Sequence, residues 1–363
     1  MTPLDPAEAL EPGDAAWEGR AASFGRYAPA RLLRLLLWGA AGLALALFAS
    51  ALFGGVPLRL GDALAGRGPD GAIFWSLRLP RVALGAIVGA ALCASGAALQ
   101  GLLQNPLADP FVLGVSGGAA AGGAVAVLAV DLLGLGERGI LGLSPRVALG
   151  FAGALGSVAV VRALASRSGR LFGAAALLAG AVLNALAGAL VLLAELALAP
   201  ARAQELLFWL QGNLGYPPPA LLWLAGIGAL ASCVLLALLA GRLELLSLGE
   251  EEAAQLGVDV RGTTRWVLAA CALGVSAAVA VSGLIGFVGL LVPHLLQMRL
   301  GPDRRLVVPL SALWGAAFLV LADAAGRLTF LPLGFEPPVG ALTALLGGPL
   351  FLWILRRELG GPA

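Results

Sequence analysis

Residues 78–118 read RLPRVALGAIVGAALCASGAALQGLLQNPLADPFVLGVSGG, and this stretch decides the fold. From Val82 to Leu103 it contains no charged residue, and half of the residues there are Ala or Gly. Such a run predicts a membrane-spanning helix with a smooth surface for close helix–helix packing. The QNPLADP that follows combines three polar side chains with two prolines that lack a backbone donor. A turn of this kind must be buried in protein or line a wet passage, so a gate could lie there.

The composition places the whole chain among polytopic membrane proteins. Hydrophobic residues make up 60% of the 363 residues, charged residues 12%, and the mean hydropathy is +0.93. A net charge of +2 gives no reason to expect nucleic acid as a partner. All 23 basic residues are Arg, so the chain lacks the lysine of a P-loop. Any ATP chemistry is therefore expected on another chain.

Candidate catalytic and metal-binding residues are few. Cys93, Cys233 and Cys271 fall in separate apolar runs, and His294 is the only histidine. Their spacing fits neither a disulfide framework nor a zinc site, so we predict no metal site and no catalytic residue. We interpret the cysteines as small packing residues. His294 follows a proline within a helix, where a structural hydrogen bond is favoured over a role as haem ligand.

Residues 1–30 are rich in acidic residues and Pro and predict a disordered cytoplasmic tail. Residues 31–358 are predicted to form the membrane domain, with ten runs long enough to cross about 30 Å of hydrocarbon. These runs are 32–53, 79–103, 111–130, 146–165, 172–199, 219–240, 264–283, 284–298, 306–325 and 339–355. With both termini in the cytoplasm, fifteen Arg residues fall on the cytoplasmic side and eight on the other, which favours this orientation. The eighth run is the weakest prediction.

Residues 241–265, GRLELLSLGEEEAAQLGVDVRGTTR, form the longest polar segment on the predicted cytoplasmic side. Ser247 and Glu250 are spaced as a capping box, and Gly257 is placed to end a helix. We therefore predict a short helix at about residues 248–256 outside the bilayer. This helix is either a simple capped linker or a surface that a partner binds, and its exposed acidic and apolar residues favour the partner.

Five separated motifs resemble the FecCD permease family, the membrane subunits of bacterial ABC importers for iron–siderophore, haem and cobalamin. In chain order the motifs are RLPR (78–81), SGAALQGLLQNPLADPFVLGVSGGA (95–119), LSLGEEEAAQLGV (246–258), SGLIGFVGLLVPHLLQ (282–297) and PVGALTALLGGPLFLWIL (338–355). The resemblance implies an all-α type II ABC importer permease with ten transmembrane helices per subunit. It also implies a multi-pass location in the bacterial cytoplasmic (inner) membrane.

The resemblance further implies partners and sites. A homodimer of permeases would contact a cytoplasmic ATP-binding subunit dimer, which binds ATP and Mg, and an extracytoplasmic substrate-binding protein. No cofactor is expected in this chain, which would not itself be an enzyme. The implied ATPase-coupling residues, within coupling helices at about 244–262, are Glu250, Glu251, Glu252, Ala253, Ala254, Gly257 and Val258. The implied cytoplasmic gate comprises Asn105 and Leu107, and the implied docking residues for the binding protein are Arg78, Arg81 and Arg327.

Alternatives remain at this point. The arginines before the second run could instead extend to lipid phosphates at the membrane surface. An ion-gradient-driven secondary transporter is the alternative function, and it would need carboxylates aligned at the middle of the membrane. The polar residues Asn184, Glu195 and Asp323 are scattered, which favours structural pairing. A membrane-embedded enzyme would need a nucleophile–base pair or metal ligands, for which the chain has little material.

Overall fold

The structure is a computed structural model that describes residues 29–54, 58–133, 144–165, 172–330 and 334–359. The predicted N-terminal tail lies outside these ranges except for Pro29 and Ala30, which already belong to the first helix. Every regular element in the described ranges is helical.

Ten long helices form the bundle within the described residues, and each corresponds to one predicted run. They are α1 (Pro29–Leu52), α2 (Leu79–Leu102), α3 (Val115–Leu132), α4 (Pro145–Ala165), α5 (Phe172–Ala197), α6 (Pro219–Leu246), α7 (Val260–Ser282), α8 (Val288–Leu300), α9 (Arg304–Leu328) and α10 (Val339–Leu359). Eight of them are long and apolar enough to cross a membrane, whereas α8 and the apolar part of α10 are shorter. The count of ten crossings is therefore approximate.

The weakest predicted run begins later than expected. Its first residues, 284–287, are not helical, and α8 starts only at Val288. Gly283 and Phe287 flank this segment with positive φ angles of 70° and 67°, a conformation that ends one helix and re-aims the chain before the next. Ile285 in this segment is fully buried and Leu284 packs against the core, so the non-helical backbone lies against protein, where it is tolerated in a membrane protein.

Helix α2 is the most buried helix of the bundle and packs against α6, α7, α8 and α9. Glycines allow this close approach. A Cβ atom at Gly96 would lie 1.8 Å from the carbonyl oxygen of Gly289 in α8, and one at Gly89 would lie 2.3 Å from that of Gly315 in α9. Because dispersion contacts drive helix association in lipid, these glycines hold α2 at the centre of the bundle.

Replacing Gly96 with Ala should destabilise the protein by about 1–3 kcal/mol, because a backbone atom of α8 must move to make room. The loss is measured as a lower apparent melting temperature in detergent. Gly156→Ala in α4 is the matched control, since nothing lies within 4 Å of the added Cβ. An equal melting temperature for Gly96→Ala and the control would contradict the packing argument.

Helix α2 continues a helical segment that starts earlier in the chain. Residues 68–102 form one uninterrupted helical span of 35 residues, in which Ile73–Arg78 is a π-helical turn directly before α2. The wider turn changes the angular position of the side chains that follow, so Arg78 and Arg81 both face the bundle and are buried.

The two ends of the bundle carry different chemistry, and we name them by their residues. The coupling end holds the short helix Glu250–Gln255, which we call the coupling helix, and the arginine end holds Arg78, Arg81 and Arg327. Helix α9 runs from the coupling end to the arginine end, and α1 runs parallel to it. Helix α10 starts near Glu336 at the arginine end, so both described chain ends lie at the coupling end. Which side of the membrane this end faces stays a prediction.

Candidate functional site

The coupling helix begins differently from the prediction. Gly249, with φ of 136°, precedes its first residue, whereas Ser247 still caps the end of α6 and donates its hydroxyl to the Glu244 carbonyl at 2.6 Å. The predicted capping box of Ser247 and Glu250 is therefore wrong. The physical reason is that α6 extends to Leu246, so Ser247 occupies the C-cap position of α6, and Gly249 instead occupies the N-cap position of the coupling helix.

The end of the coupling helix follows the prediction. Gly257 adopts a positive φ of 83°, and its N–H donates to the Ala254 carbonyl at 3.0 Å. The N–H of Val258 donates to the Ala253 carbonyl at 3.0 Å, which completes a Schellman motif. Asp259 then caps α7 by accepting a hydrogen bond from the Gly262 N–H. The coupling helix is thus an exposed helix of about one and a half turns, and the chain changes direction sharply before and after it.

The coupling helix exposes its acidic residues. Glu250, Glu251 and Glu252 lie in its first turn, where the helix dipole favours negative charge, and all three are exposed. Ala254 is exposed beside them, whereas Ala253 is fully buried and anchors the helix on the bundle. The helix therefore offers acidic side chains and a small apolar surface, which suits a basic or mixed partner surface.

The predicted gate residues lie in a tight turn after α2. The Asn105 side chain accepts a hydrogen bond from the Leu107 N–H at 2.9 Å, and the Leu107 side chain is 39% exposed. The Asp109 carboxylate accepts the Phe111 N–H at 2.7 Å. Desolvation raises the pKa of the Asp109 carboxyl to about 6, although this hydrogen bond acts in the opposite direction. The turn thus presents one apolar side chain on a locally rigid backbone.

The arginine end contains a buried ionic cluster centred on Arg81. Its guanidinium donates to the Asp323 carboxylate in a forked pair, with Nη2–Oδ1 at 2.9 Å, and its Nη1 donates to Glu336 Oε2 at 2.9 Å. The guanidinium also lies over the Tyr216 ring, 5.8 Å from its centroid. Arg81 is therefore held by α9, by the segment before α10 and by the segment before α6.

Arg327 and Arg78 hold the end of α1 at the same place. Arg327 forms an ion pair with Asp323, with Nε–Oδ2 at 3.1 Å, and donates to the Ser50 carbonyl at 2.9 Å. Arg78 donates to the Leu52 carbonyl at 2.6 Å. Cations that bind the last carbonyls of a helix complement its dipole. These contacts explain why arginines are tolerated in this part of the bundle.

The structure thus brings the three predicted docking arginines together. Their exposures are 6% for Arg78, 7% for Arg81 and 4% for Arg327, so none of them extends to lipid phosphates as the alternative supposed. The expected structural pairing of Asp323 is confirmed. Three arginines face two carboxylates in this cluster, which leaves it formally positive. Whether it binds a partner stays a prediction.

Other polar residues have structural roles. Asn184 in α5 accepts the Gly117 N–H at 3.0 Å and donates to the Phe111 carbonyl at 3.0 Å, which fixes the start of α3. His294 is buried in α8, and Cys93 and Cys271 are buried free thiols. Within the described residues, no group of three or more His, Cys, Asp or Glu side chains could hold a metal ion.

Several polar residues meet at the coupling end, and of these only Gln104, in the QNPLADP turn, stood out in the sequence. Gln100, Gln104, Glu244, Gln297 and Arg304 line one cavity between α2, α6, α8 and α9. A signal for Glu244 was present, because a carboxylate in the last turn of a helix opposes the helix dipole and so needs a partner elsewhere.

Comparison with known proteins identifies the family. A profile described as the FecCD transport family matches residues 42–357. The hemin transport system permease protein HmuU of Yersinia pestis is 43% identical over 287 residues, which cover 79% of this chain and 84% of that protein. The cobalamin import system permease protein BtuC of Halobacterium salinarum is 43% identical over 296 residues, which cover 79% of this chain and 74% of that protein.

A solved structure has the same fold. It is described as an inward-facing conformation of a transporter provisionally assigned to the metal-chelate type of ABC transporter. It matches with a TM-score of 0.76 and 30% identity, covering 91% of this chain and 100% of that chain. The expected all-α ABC permease fold is thereby confirmed. From its motifs, its helices and these matches, this chain belongs to the FecCD transport family.

Proposed function

We propose that this chain is the transmembrane permease subunit of an ABC importer and moves a metal chelate across the membrane by alternating access. The observation that carries the proposal is the 43% identity, along most of the chain, to a hemin transport permease and to a cobalamin import permease. The names of these relatives make haem and cobalamin the first substrates to test, with iron–siderophore complexes as the third class. The location that follows is the cytoplasmic membrane, with the coupling end inside.

The energy would come from a separate ATPase subunit. The chain has no lysine with which to build a P-loop, and its acidic coupling helix projects from the bundle. An ATPase dimer that binds ATP and Mg would contact this helix, and nucleotide-dependent changes in the ATPase would shift the permease between its conformations. The permease itself would carry out no covalent step.

A second permease copy is the proposed partner within the membrane. Helix α5 carries an apolar stripe that no other described part of the chain covers, at spacings of three and four residues. Its members are Leu178, Val182, Leu186, Leu190 and Leu193. Such a continuous stripe suits contact with an identical helix or with lipid, and a homodimer would place the passage between the two copies.

The formally positive cluster at the arginine end supports docking of an acidic binding protein. In this structure Glu336, whose side chain is 37% exposed, covers Arg81, whose side chain is 8% exposed. An incoming carboxylate can therefore reach Arg81 only when Glu336 moves away. Glu336 thus competes with the partner for the same guanidinium.

We predict that Glu336→Gln strengthens association with the substrate-binding protein by about fivefold, corresponding to roughly 1 kcal/mol. Removing the charge weakens the internal competitor while Asp323 continues to hold Arg81. The affinity is measured on the purified permease–ATPase complex at low and high ionic strength. Glu205→Gln is the control, because Glu205 pairs with Arg146 outside the cluster. An equal increase for the control, or no increase for Glu336→Gln, would contradict the prediction.

Uptake by proteoliposomes tests the function itself. Vesicles that contain the permease and its ATPase should accumulate haem or cobalamin only when ATP and the binding protein are present. Uptake driven by a proton or sodium gradient without the ATPase would instead indicate the secondary transporter. The most buried carboxylates of the described spans, Glu244 and Asp323, lie at opposite ends of the bundle, which favours the ABC importer.

A further inference from the structure

A polar cavity lies beside the end of α6 and the turn that contains Asn105 and Leu107, which we call the gate turn. Its volume is about 130 Å³. It is bounded by the ends of α2 and α6, by the start of α9 and by the loop that precedes α9. Polar side chains from four helices reach this cavity, and two of them form bonds that connect the last turn of α6 to other elements. One bond joins the end of α6 to the gate turn, and the other joins it to the start of α9.

Glu244 connects α6 to the start of α9. Its carboxylate is 3% exposed, and its Oε2 accepts the N–H of Arg304 at 2.6 Å. Asp303 accepts the next N–H, that of Arg305, at 2.9 Å. Two carboxylates therefore satisfy the first free donors of α9, where the helix dipole favours negative charge. Near the end of α6 the charge of Glu244 opposes the dipole of its own helix. Its position is explained by the hydrogen bond that it accepts from the start of α9.

Gln104 connects the gate turn to the same end of α6. Its Nε2 donates to the Leu246 carbonyl at 3.0 Å, and Leu246 is the last residue of α6. Only Ser247, Leu248 and Gly249 separate Leu246 from the coupling helix. The backbone of Gln104 has a positive φ of 48°, an uncommon conformation for a side chain of this type. Because Gln104 directly precedes Asn105, its bond to Leu246 ties the gate turn to the end of α6.

We propose that Glu244 and Gln104 are positioning residues that transmit movement of the coupling helix to the gate turn and to α9. The inference rests on the proposed function, since it takes the coupling helix as the ATPase contact and Asn105 and Leu107 as the gate. Both bonds involve residues of the last turn of α6. A displacement of that turn therefore moves two groups at once: the Leu246 carbonyl, which accepts from Gln104, and the Glu244 carboxylate, which binds the start of α9. The adjacent cavity gives the side chains room for such a displacement.

A labelling experiment that needs no known cargo tests this inference. Leu107→Cys is introduced after replacing Cys93, Cys233 and Cys271 with Ala, and the permease is reconstituted with its ATPase. The rate of maleimide labelling at position 107 is then compared without nucleotide and after trapping with ATP and vanadate. The variants tested on this background are Gln104→Ala, Glu244→Ala and Glu244→Gln.

We expect Gln104→Ala and Glu244→Ala to reduce the nucleotide-dependent change in labelling rate by about fivefold or more, while ATP hydrolysis continues. Glu244→Gln should give an intermediate reduction, because its amide oxygen still accepts the Arg304 N–H without the charge. Gln297→Ala is the matched control. Gln297 lines the same cavity but donates to Gln100 of α2 and contacts neither the gate turn nor α6 through a hydrogen bond.

Three results would overturn the inference and have different meanings. A full labelling response in both alanine variants would refute the transmission and leave the gate assignment intact. A parent protein whose labelling does not respond to nucleotide would refute the gate assignment and the inference with it. Loss of ATPase binding in the variants would assign the two residues to docking instead of transmission.

Discussion

Replacing Asp323 with Ala should lower the stability of the protein by about 3–5 kcal/mol. Asp323 is 3% exposed and is the carboxylate shared by Arg81 and Arg327, so its removal leaves two buried guanidiniums with one remaining acidic neighbour. Breaking a buried ion pair from one side is costly because the uncompensated charge stays in a poorly solvated place. The cluster also ties α1, α2, α9 and the segment before α10, so several helix ends should loosen together.

The measurement is the apparent melting temperature in detergent, which we expect to fall by roughly 5 °C. Asp131→Ala is the control, since Asp131 is exposed at the end of α3. A double variant, Asp323→Ala with Arg327→Met, should recover part of the loss because it removes one of the stranded charges. A melting temperature for Asp323→Ala within the range of the control would show that the cluster does not stabilise the fold.

Reversing the charge of the coupling helix by Glu250→Lys, Glu251→Lys and Glu252→Lys together should weaken ATPase association by about 100-fold or more, corresponding to roughly 3 kcal/mol. All three side chains are exposed, so the fold should lose only the favourable interaction of acids with the first turn, about 0.3–1 kcal/mol for each. ATP-driven uptake should fall in proportion to the association.

Association is measured by co-purification and by titration of the ATPase onto the permease in detergent. Asp131→Lys, which reverses an exposed charge away from the coupling helix, is the matched control. Neutral replacements by Gln should give a smaller loss, because they remove attraction without adding repulsion. Unchanged affinity in the triple variant would reject this helix as the ATPase contact.

Helix positions were predictable because long apolar runs have few alternatives in a membrane. Gly257 was also predictable, since a glycine after a short amphipathic stretch ends the helix in a left-handed turn. The start of α8, in contrast, was not predictable from the sequence. Its first predicted residues are as apolar as the rest, and only the backbone angles at Gly283 and Phe287 reveal the break.

The candidate site was predictable in its residue types but not in its contacts. RLPR placed two arginines close together, yet Asp323, the carboxylate that pairs with Arg81, lies 242 residues away in the sequence, and no local pattern reveals such a partner. The capping prediction at Ser247 was wrong for a related reason. The length of α6, which packing with other helices sets, places Ser247 at the end of α6 and leaves Gly249 at the start of the coupling helix.

The helical span of residues 68–102 is longer than a bilayer requires. If Leu102 lies at one edge of the hydrocarbon, about 30 Å of helix crosses it, and at about 1.5 Å for each residue roughly 15 Å or more remains beyond the opposite edge. With that placement, the helix would extend beyond the lipid headgroups on the face away from the coupling helix. An epitope inserted near Gly66, next to the outer end of this span, would be accessible to an antibody on intact vesicles of one orientation, so it would report sidedness without any reagent entering the membrane.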